Sequence, residues 1–366
     1  MIPIDTLYSI IKISLVAGFL ICLVVLWRTL KRDHFWCLIL GFVIAFGVGE
    51  GLCRFFGLGN LEKVIHQGSR VKDPKAPYVY QPGGEVVVVF PDNPRGYFEE
   101  GNKVVAHINS KGFRGPEVDF RKESGTTRIV VLGDSFVFGV GVKDQDTLPA
   151  QLEQELKRDF KDIEVLNFGV AMTNTPNYVN VLTKYGVQFD PDMVLMVLFL
   201  NDTERIGTVR FFSEPQLFRS LRRSRFLNLI LSNIEKPIVH QAMVQHYRDG
   251  YQPANPGWVK MKNSIRKARD LSQEKGFKLG IVIYPVLYHL DERYPFTQIH
   301  EKIRRFCESK GIETVDLLEA FRGMKDKDLW VHPLDPHPNE KAQRLAAREL
   351  AKSLHPWLQE AMGRSN

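Results

Sequence analysis

The chain has 366 residues, 44% of them hydrophobic and 25% charged, with a formal net charge of +7. That composition excludes a disordered chain and suffices for one sizeable domain with accessory parts, or for two modest domains. The basic balance favours anionic partners, but no zinc-finger spacing, RNP-like stretch or heptad-plus-basic region is present, so nucleic acid is not an expected partner.

Two apolar runs open the chain. The first is Ile13 to Trp27, extendable back to Leu7 if Lys12 snorkels to the interface; the second is Phe35 to Gly49, followed by Glu50 and Arg54. A spanning helix needs roughly 20 mostly apolar residues. The first run is long for a cleaved signal peptide, and no small-residue cleavage site follows it. Glu50 and Arg54 are four apart, so one helical face can carry them as a pair. Arg28, Lys31 and Arg32 lie between the runs, and cytoplasmic loops collect such charges. The expectation is a membrane region over residues 1–58 with two transmembrane helices, its hairpin loop inside and the large C-terminal part outside. With a single span, a cytoplasmic catalytic part is the alternative orientation. Cys22, Cys37, Cys53 and Cys307 show neither metal-site spacing nor a disulfide framework.

Residues 59–126 read as a β-rich connector. Gly84–Phe90 and Lys103–Ile108 have strand composition, with Pro91, Pro94, Gly96 and Gly101 as turn residues between them. From Thr127 strands and helices alternate. Strands are expected at 128–132, 163–168, 193–200, 278–284 and 313–316, and helices at 148–160, 178–185, 258–275, 300–310 and 339–354. Unbroken apolar strands such as Met193–Leu200 argue for a parallel sheet covered on both faces. Residues 203–257 break the rhythm and read as an insertion, with Arg219, Arg222, Arg223 and Arg225 as a solvated helix face near a membrane.

Four polar sites fall at the ends of these elements. Gly133-Asp134-Ser135 follows the first strand, where a parallel sheet places its ligand crevice. Alone, the tripeptide is equally a helix cap. Gly169 ends the second strand, where a glycine lets backbone approach a ligand, or simply makes a turn. Asn201-Asp202 follows the apolar third strand, and an Asn there can donate to a developing oxyanion; an Asx turn is the ordinary alternative. Asp335-Pro336-His337-Pro338-Asn339 precedes the last helix. A nucleophilic Ser needs an imidazole base, the base needs an acceptor, and flanking prolines stiffen the loop. Together the four supply nucleophile, donors and base.

In this combination the chain resembles the SGNH/GDSL hydrolase superfamily over residues 127–355. The flanking Glu50…Arg54 and the stretch Ile108 to Pro116 are similar to a membrane-anchored bacterial subset. The resemblance implies a flavodoxin-like three-layer α/β/α sandwich with a parallel sheet, the SGNH hydrolase fold, over residues 127–366 with an insertion at 203–257, preceded by the N-terminal transmembrane helices. It implies Ser135 as nucleophile, His337 as base, Asp335 as the residue orienting it, and an oxyanion hole from the N–H groups of Ser135 and Gly169 and the side chain of Asn201. Three departures are visible. Leu334 stands where the orienting Asp is usual, so His332 and Asp328 are alternatives to Asp335. Phe199-Leu200 replaces a usual glycine before Asn201. Val170 to Thr175 differs from the commoner Gly-Tyr-containing turn. The expected function is a membrane-anchored serine esterase or acyl (acetyl) transferase working through an acyl-serine, on an acylated glycan or a lipid ester, without cofactor or metal. The expected place is a bacterial inner membrane, with the catalytic domain outside the cytoplasm. A non-catalytic glycan-binding scaffold on the same fold is the alternative.

Overall fold

The computed structural model describes residues 17, 18, 20–56, 64–68, 70, 71, 79–204 and 220–363. The chain folds as two units, residues 1–62 with 209–246 and residues 63–208 with 247–366.

In the first unit the apolar helices Leu20–Thr29 and Arg32–Phe55 meet at a break over Leu30 and Lys31. Trp27, Phe35 and Trp36 pack edge to face at that corner, with centroids 5.0–6.2 Å apart. Among the described residues, Arg32–Phe55 is the one helix long and apolar enough to cross a membrane. The expected first span falls partly outside the described residues, and its described part is shorter. Glu50 and Arg54 do pair, Nε to Oε1 at 2.9 Å. Glu50 has a second role that spacing alone does not reveal. Its carboxylate accepts from Ser224 Oγ at 2.8 Å and from the N–H of Phe226 at 3.0 Å, at the start of helix Arg225–Gly250. A carboxylate at those unsatisfied N–H groups acts as a helix cap supplied from a distant segment. Residues 209–246 of the expected insertion thus belong to the same unit as the N-terminal helices.

The second unit opens with short strands β1 (Ile65–Gly68), β2 (Arg70–Val71), β3 (Val79–Tyr80), β4 (Glu85–Val89) and β5 (Lys103–His107). β1, β4 and β5 form an antiparallel sheet in that order. The connector does not stand apart. Val88, Phe90 and Val104 share one apolar core with Phe138, Val140 and Val331 of the following domain. Burying each such side chain contributes about 1.5–3 kcal/mol.

The domain that follows is built on β6 (Thr127–Gly133), β7 (Ile163–Gly169), β8 (Met193–Leu198), β9 (Lys278–Ile283) and β10 (Glu313–Asp316). All pairings are parallel and the order is β10-β9-β8-β6-β7. Counted from the first strand this is the 2-1-3-4-5 order of a doubly wound, flavodoxin-like sheet. β8 is buried along its whole length, as its unbroken apolar sequence requires; β6 is too, its Arg128 pairing with Glu164 at 2.7 Å, whereas edge strand β7 is partly exposed. Helices Leu148–Leu156 and Glu340–Gly363 pack as one flanking pair, and Thr175–Lys184 and Pro256–Lys275 as another. β8 stops at Leu198, two residues short of expectation. Leu200–Thr203 winds into a 3₁₀ turn there, and Asp202 Oδ2 accepts the N–H of Phe199 at 3.1 Å.

Candidate active site

The chain reverses direction across the sheet between β6 and β8, and the crevice at such a switch point lies beyond the strands' carboxyl ends. Ser135 follows β6 and Asn201 follows β8. Ser135 is the first residue of the short helix Ser135–Phe138, and Asp134 caps it by accepting the Phe136 N–H at 2.9 Å. The hairpin of β11 (Trp330–His332) and β12 (Asp335–Pro338) brings the remaining groups.

Ser135 Oγ lies 2.9 Å from His337 Nε2, and His337 Nδ1 lies 2.5 Å from Asp335 Oδ1. The N–H of His337 also donates to Asp335 Oδ1 at 3.1 Å. The two-residue spacing of Asp335 and His337 has a local cause. β12 is extended, and residues two apart on a strand share a face. The residue three before His337, Leu334, points away and is 54% exposed. The alternatives are committed elsewhere. His332 Nε2 pairs with Asp92 at 2.6 Å and its Nδ1 accepts from Leu334; Asp328 is exposed, and it is its backbone carbonyl, not its carboxylate, that accepts from Asn339. Asn339 fastens the loop to the last helix, its Oδ1 accepting the Ala342 N–H at 3.0 Å and its Nδ2 donating to the Trp330 carbonyl at 3.1 Å.

Electrostatics follow from burial and pairing. Burial works against a charged His337, but the Asp335 carboxylate, its hydrogen bond and the charge of Asp134 outweigh it, so the imidazole holds its proton above its ordinary range. Burial alone would raise Asp335; the charge of His337 and its two hydrogen bonds, with a contribution from His66, leave it below the usual carboxylate range. Burial pushes Asp134 and Asp202 up. Asp202 accepts from Tyr178 Oη at 2.6 Å and from Phe199 N–H, so its carboxylate is spent inside the fold. Asn201 neighbours the Asp134 carboxyl, and its Oδ1 is buried without a hydrogen-bond partner among the described residues.

The Gly169 N–H, expected to face an oxyanion, is already engaged. It donates to Asn167 Oδ1 at 2.9 Å, and a Cβ at Gly169 would stand 2.2 Å from the Phe138 nitrogen. The glycine serves the close approach of β7 to helix Ser135–Phe138, which Asn167 braces by donating to the Val137 carbonyl at 3.0 Å. Three residues on, Met172 holds a left-handed backbone, φ +57°, and is 60% exposed. A non-glycine residue there is strained, and such strain clusters at functional sites. Met172 lines a cavity of about 370 Å³ with Ser135, His337, Phe138 and Ala171. Phe199 stacks on Phe136 at 4.1 Å and is not among the residues lining that cavity.

The sequence model of the GDSL-like lipase/acylhydrolase family matches residues 131–345. The chain belongs to that family. No curated protein matches it. Among solved structures it is similar to a lipolytic protein of the G-D-S-L family from Desulfitobacterium hafniense DCB-2, with 13% identity, 62% of this chain and 99% of that one covered, and a TM-score of 0.41. It is similar to the psychrotrophic esterase EstA from Pseudoalteromonas sp., with 18% identity, 64% and 99% covered, and a TM-score of 0.40. It is also similar to the acetylxylan esterase Axe2 from Geobacillus stearothermophilus, with 13% identity, 66% and 96% covered, and a TM-score of 0.39.

Residues outside the family match also reach this GDSL site. Arg114 is buried and donates to the carbonyls of Phe138, the last residue of the Ser135 helix, and of Gly139 and Val142 beyond it, and pairs with Asp144 at 2.7 Å. Asp92 holds His332, and the β1–β4 face lines the cavity. In the sequence the stretch Ile108 to Pro116 carries only a likeness, because Arg114 is buried by carbonyls 24–28 residues further along the chain. His66 carries none, since a lone His outside any expected element reads as a solvated loop side chain.

Proposed function

We propose that this GDSL hydrolase is a membrane-anchored serine esterase or acyl transferase acting on short-chain esters, with Ser135 as nucleophile, His337 as base and Asp335 orienting it. The observation that carries the reading is the unbroken relay from Ser135 Oγ through His337 to Asp335, at 2.9 and 2.5 Å. His337 Nε2 takes the Ser135 proton as Oγ attacks the ester carbonyl. The carbonyl–alcohol bond breaks, and His337 returns the proton to the departing alcohol. Water, or the hydroxyl of a second carrier, then attacks the acyl-serine and gives its proton to His337, which passes it to Ser135 Oγ as the acyl–serine bond breaks. Asp335 keeps Nδ1 protonated, so that Nε2 faces the serine as acceptor. The N–H of Ser135 and the amide of Asn201 receive the oxyanion. The Gly169 N–H, already donated to Asn167, gives way to that of Met172, which has no hydrogen-bond partner among the described residues and lies in the same cavity wall. One such donor is worth about 2.7–4 kcal/mol in the transition state.

A cavity of about 370 Å³ is near the low end of small-molecule sites, about 300–1,000 Å³, which favours a short acyl group over a long lipid chain. The length and exposure of helix Arg32–Phe55 support an anchor in the inner membrane. Arg28, Lys31 and Arg32 support a cytoplasmic turn before it and a domain outside the cytoplasm, facing cell-envelope glycans. A fluorophosphonate probe is expected to label the wild-type protein, and Ser135→Ala to abolish the label. Undiminished labelling of Ser135→Ala would place the nucleophile elsewhere, and an unlabelled wild type would favour a binding scaffold.

A further inference from the structure

The family match begins at residue 131, yet six of the twelve residues lining the cavity beside Ser135 precede it. They are His66, Gln67 and Gly68 of β1, Tyr80 of β3, and Val86 and Val88 of β4. Strand register decides which of them share a face. His66 pairs with Val88, and Gly68 with Val86. Opposed residues of an antiparallel pair project to one side, and residues two apart share it. His66, Gly68, Val86 and Val88 therefore form a single face, and Ser135 and His337 line the same cavity. At Gly68 a Cβ would meet Val86 Cγ2 at 3.0 Å, so the glycine keeps that face open. The deeper wall is apolar, with Phe138, Val140 and Ala171, and Tyr80 is fixed to it by a ring stack on Phe138 at 4.6 Å and by accepting the Ala171 N–H at 3.0 Å. β1 is exposed throughout and forms the edge of its sheet.

A polar imidazole at an exposed rim and an apolar interior sort the two halves of an ester. We propose that β1 is the substrate-recognition element of this enzyme, with His66 hydrogen-bonding a hydroxyl of a sugar-like alcohol and Val86 and Val88 bounding the space for a short acyl group. This rests on the serine reading above. His66 lines the same cavity as Ser135 and His337 and lies near enough to Asp335 to act on its carboxyl, so the imidazole stands beside the reacting groups. An imidazole both donates and accepts, so it suits a hydroxyl. A site built to bond a hydroxyl discriminates more strongly than an apolar pocket does. The strand's exposure means that substitutions there leave the core intact.

The test uses the full-length protein in detergent, with a mono-O-acetylated methyl glycoside, 4-nitrophenyl acetate and 4-nitrophenyl butyrate. Fluorophosphonate labelling of Ser135 is followed in parallel. His66→Ala is expected to lower kcat/KM for the glycoside relative to 4-nitrophenyl acetate by about tenfold, chiefly through KM, and His66→Gln by less, with Ser135 still labelled. Val86→Ala is expected to raise the butyrate-to-acetate ratio by about tenfold. Unchanged ratios with Ser135 labelled overturn the proposal and leave the serine reading standing. Loss of labelling in both His66 variants also overturns it, since His66 would then belong to the proton relay or to the fold. An unlabelled wild type removes the serine reading, and this inference with it.

Discussion

Gly133-Asp134-Ser135 serves two ends at once. Asp134 caps a short helix, the ordinary use of such a residue, and the cap holds Ser135 at the first helical position, 2.9 Å from His337. The charge state of His337 then sets the pH dependence. In the base role proposed for it, His337 must be neutral, and its proton is held above the ordinary imidazole range, so activity is expected to be low in acid and to rise through that elevated pKa. Asp335 is the largest of the influences raising it. Asp335→Asn is therefore expected to move the rising limb of the kcat/KM profile to lower pH and to cut kcat by about 10³–10⁴-fold through loss of the correct tautomer. A limb that stays in place or moves upward would show that Asp335 does not hold the imidazole.

At the scale of elements, the site depends on pieces that tie loops to the sheet. Arg114 reaches from the segment after β5 to three carbonyls at and just past the end of the Ser135 helix, at 2.6–2.8 Å. Its own loop is set by Asn109, whose Oδ1 accepts the Lys111 and Phe113 N–H groups at 3.0 and 3.1 Å. Removing a buried charge that satisfies several acceptors leaves them all unpaired, at about 3–5 kcal/mol. Arg114→Ala is expected to lose stability on that scale in chemical denaturation, and Arg114→Lys to recover part of it, because an ammonium cannot present the guanidinium's planar fork. A loss below about 1 kcal/mol would make the clamp incidental. On the other side of the site, Asp92–His332 and Asn339 pin the hairpin that carries Asp335 and His337.

For the whole molecule, a charged Glu50 within an apolar helix is costly unless it is paired. Arg54 and the start of helix Arg225–Gly250 meet that need together. Caps of this kind are worth about 0.5–2 kcal/mol. In detergent, Glu50→Ala is expected to speed tryptic cleavage at Arg223 and Arg225 severalfold, with Glu50→Gln between the two. Equal rates would mean that the carboxylate does not hold the segment. At the same scale, much of the domain was legible in the chain. The strands lie within a residue or two of those expected at 128–132, 163–168 and 313–316, because short apolar runs rich in β-branched residues, bounded by turn residues, suit strands of a covered parallel sheet. Boundaries were less legible where a side chain outside the local pattern ended the element, as Asp202 does after β8.

Read along the chain alone, this protein declares its α/β class, the apolar helix Arg32–Phe55, the Glu50–Arg54 pair and the residue types of the site, because each depends on near neighbours, on periodicity or on strand ends. The register of β1 against β4 and the burial of Arg114 depend on segments 18 or more residues apart, Val86 to Gly68 being the nearest. The Gly169 bond itself is local, but glycine was needed there only because Phe138 lies against it. Only the folded arrangement decides such questions, since what a residue can offer a ligand is whatever its tertiary neighbours have left unused.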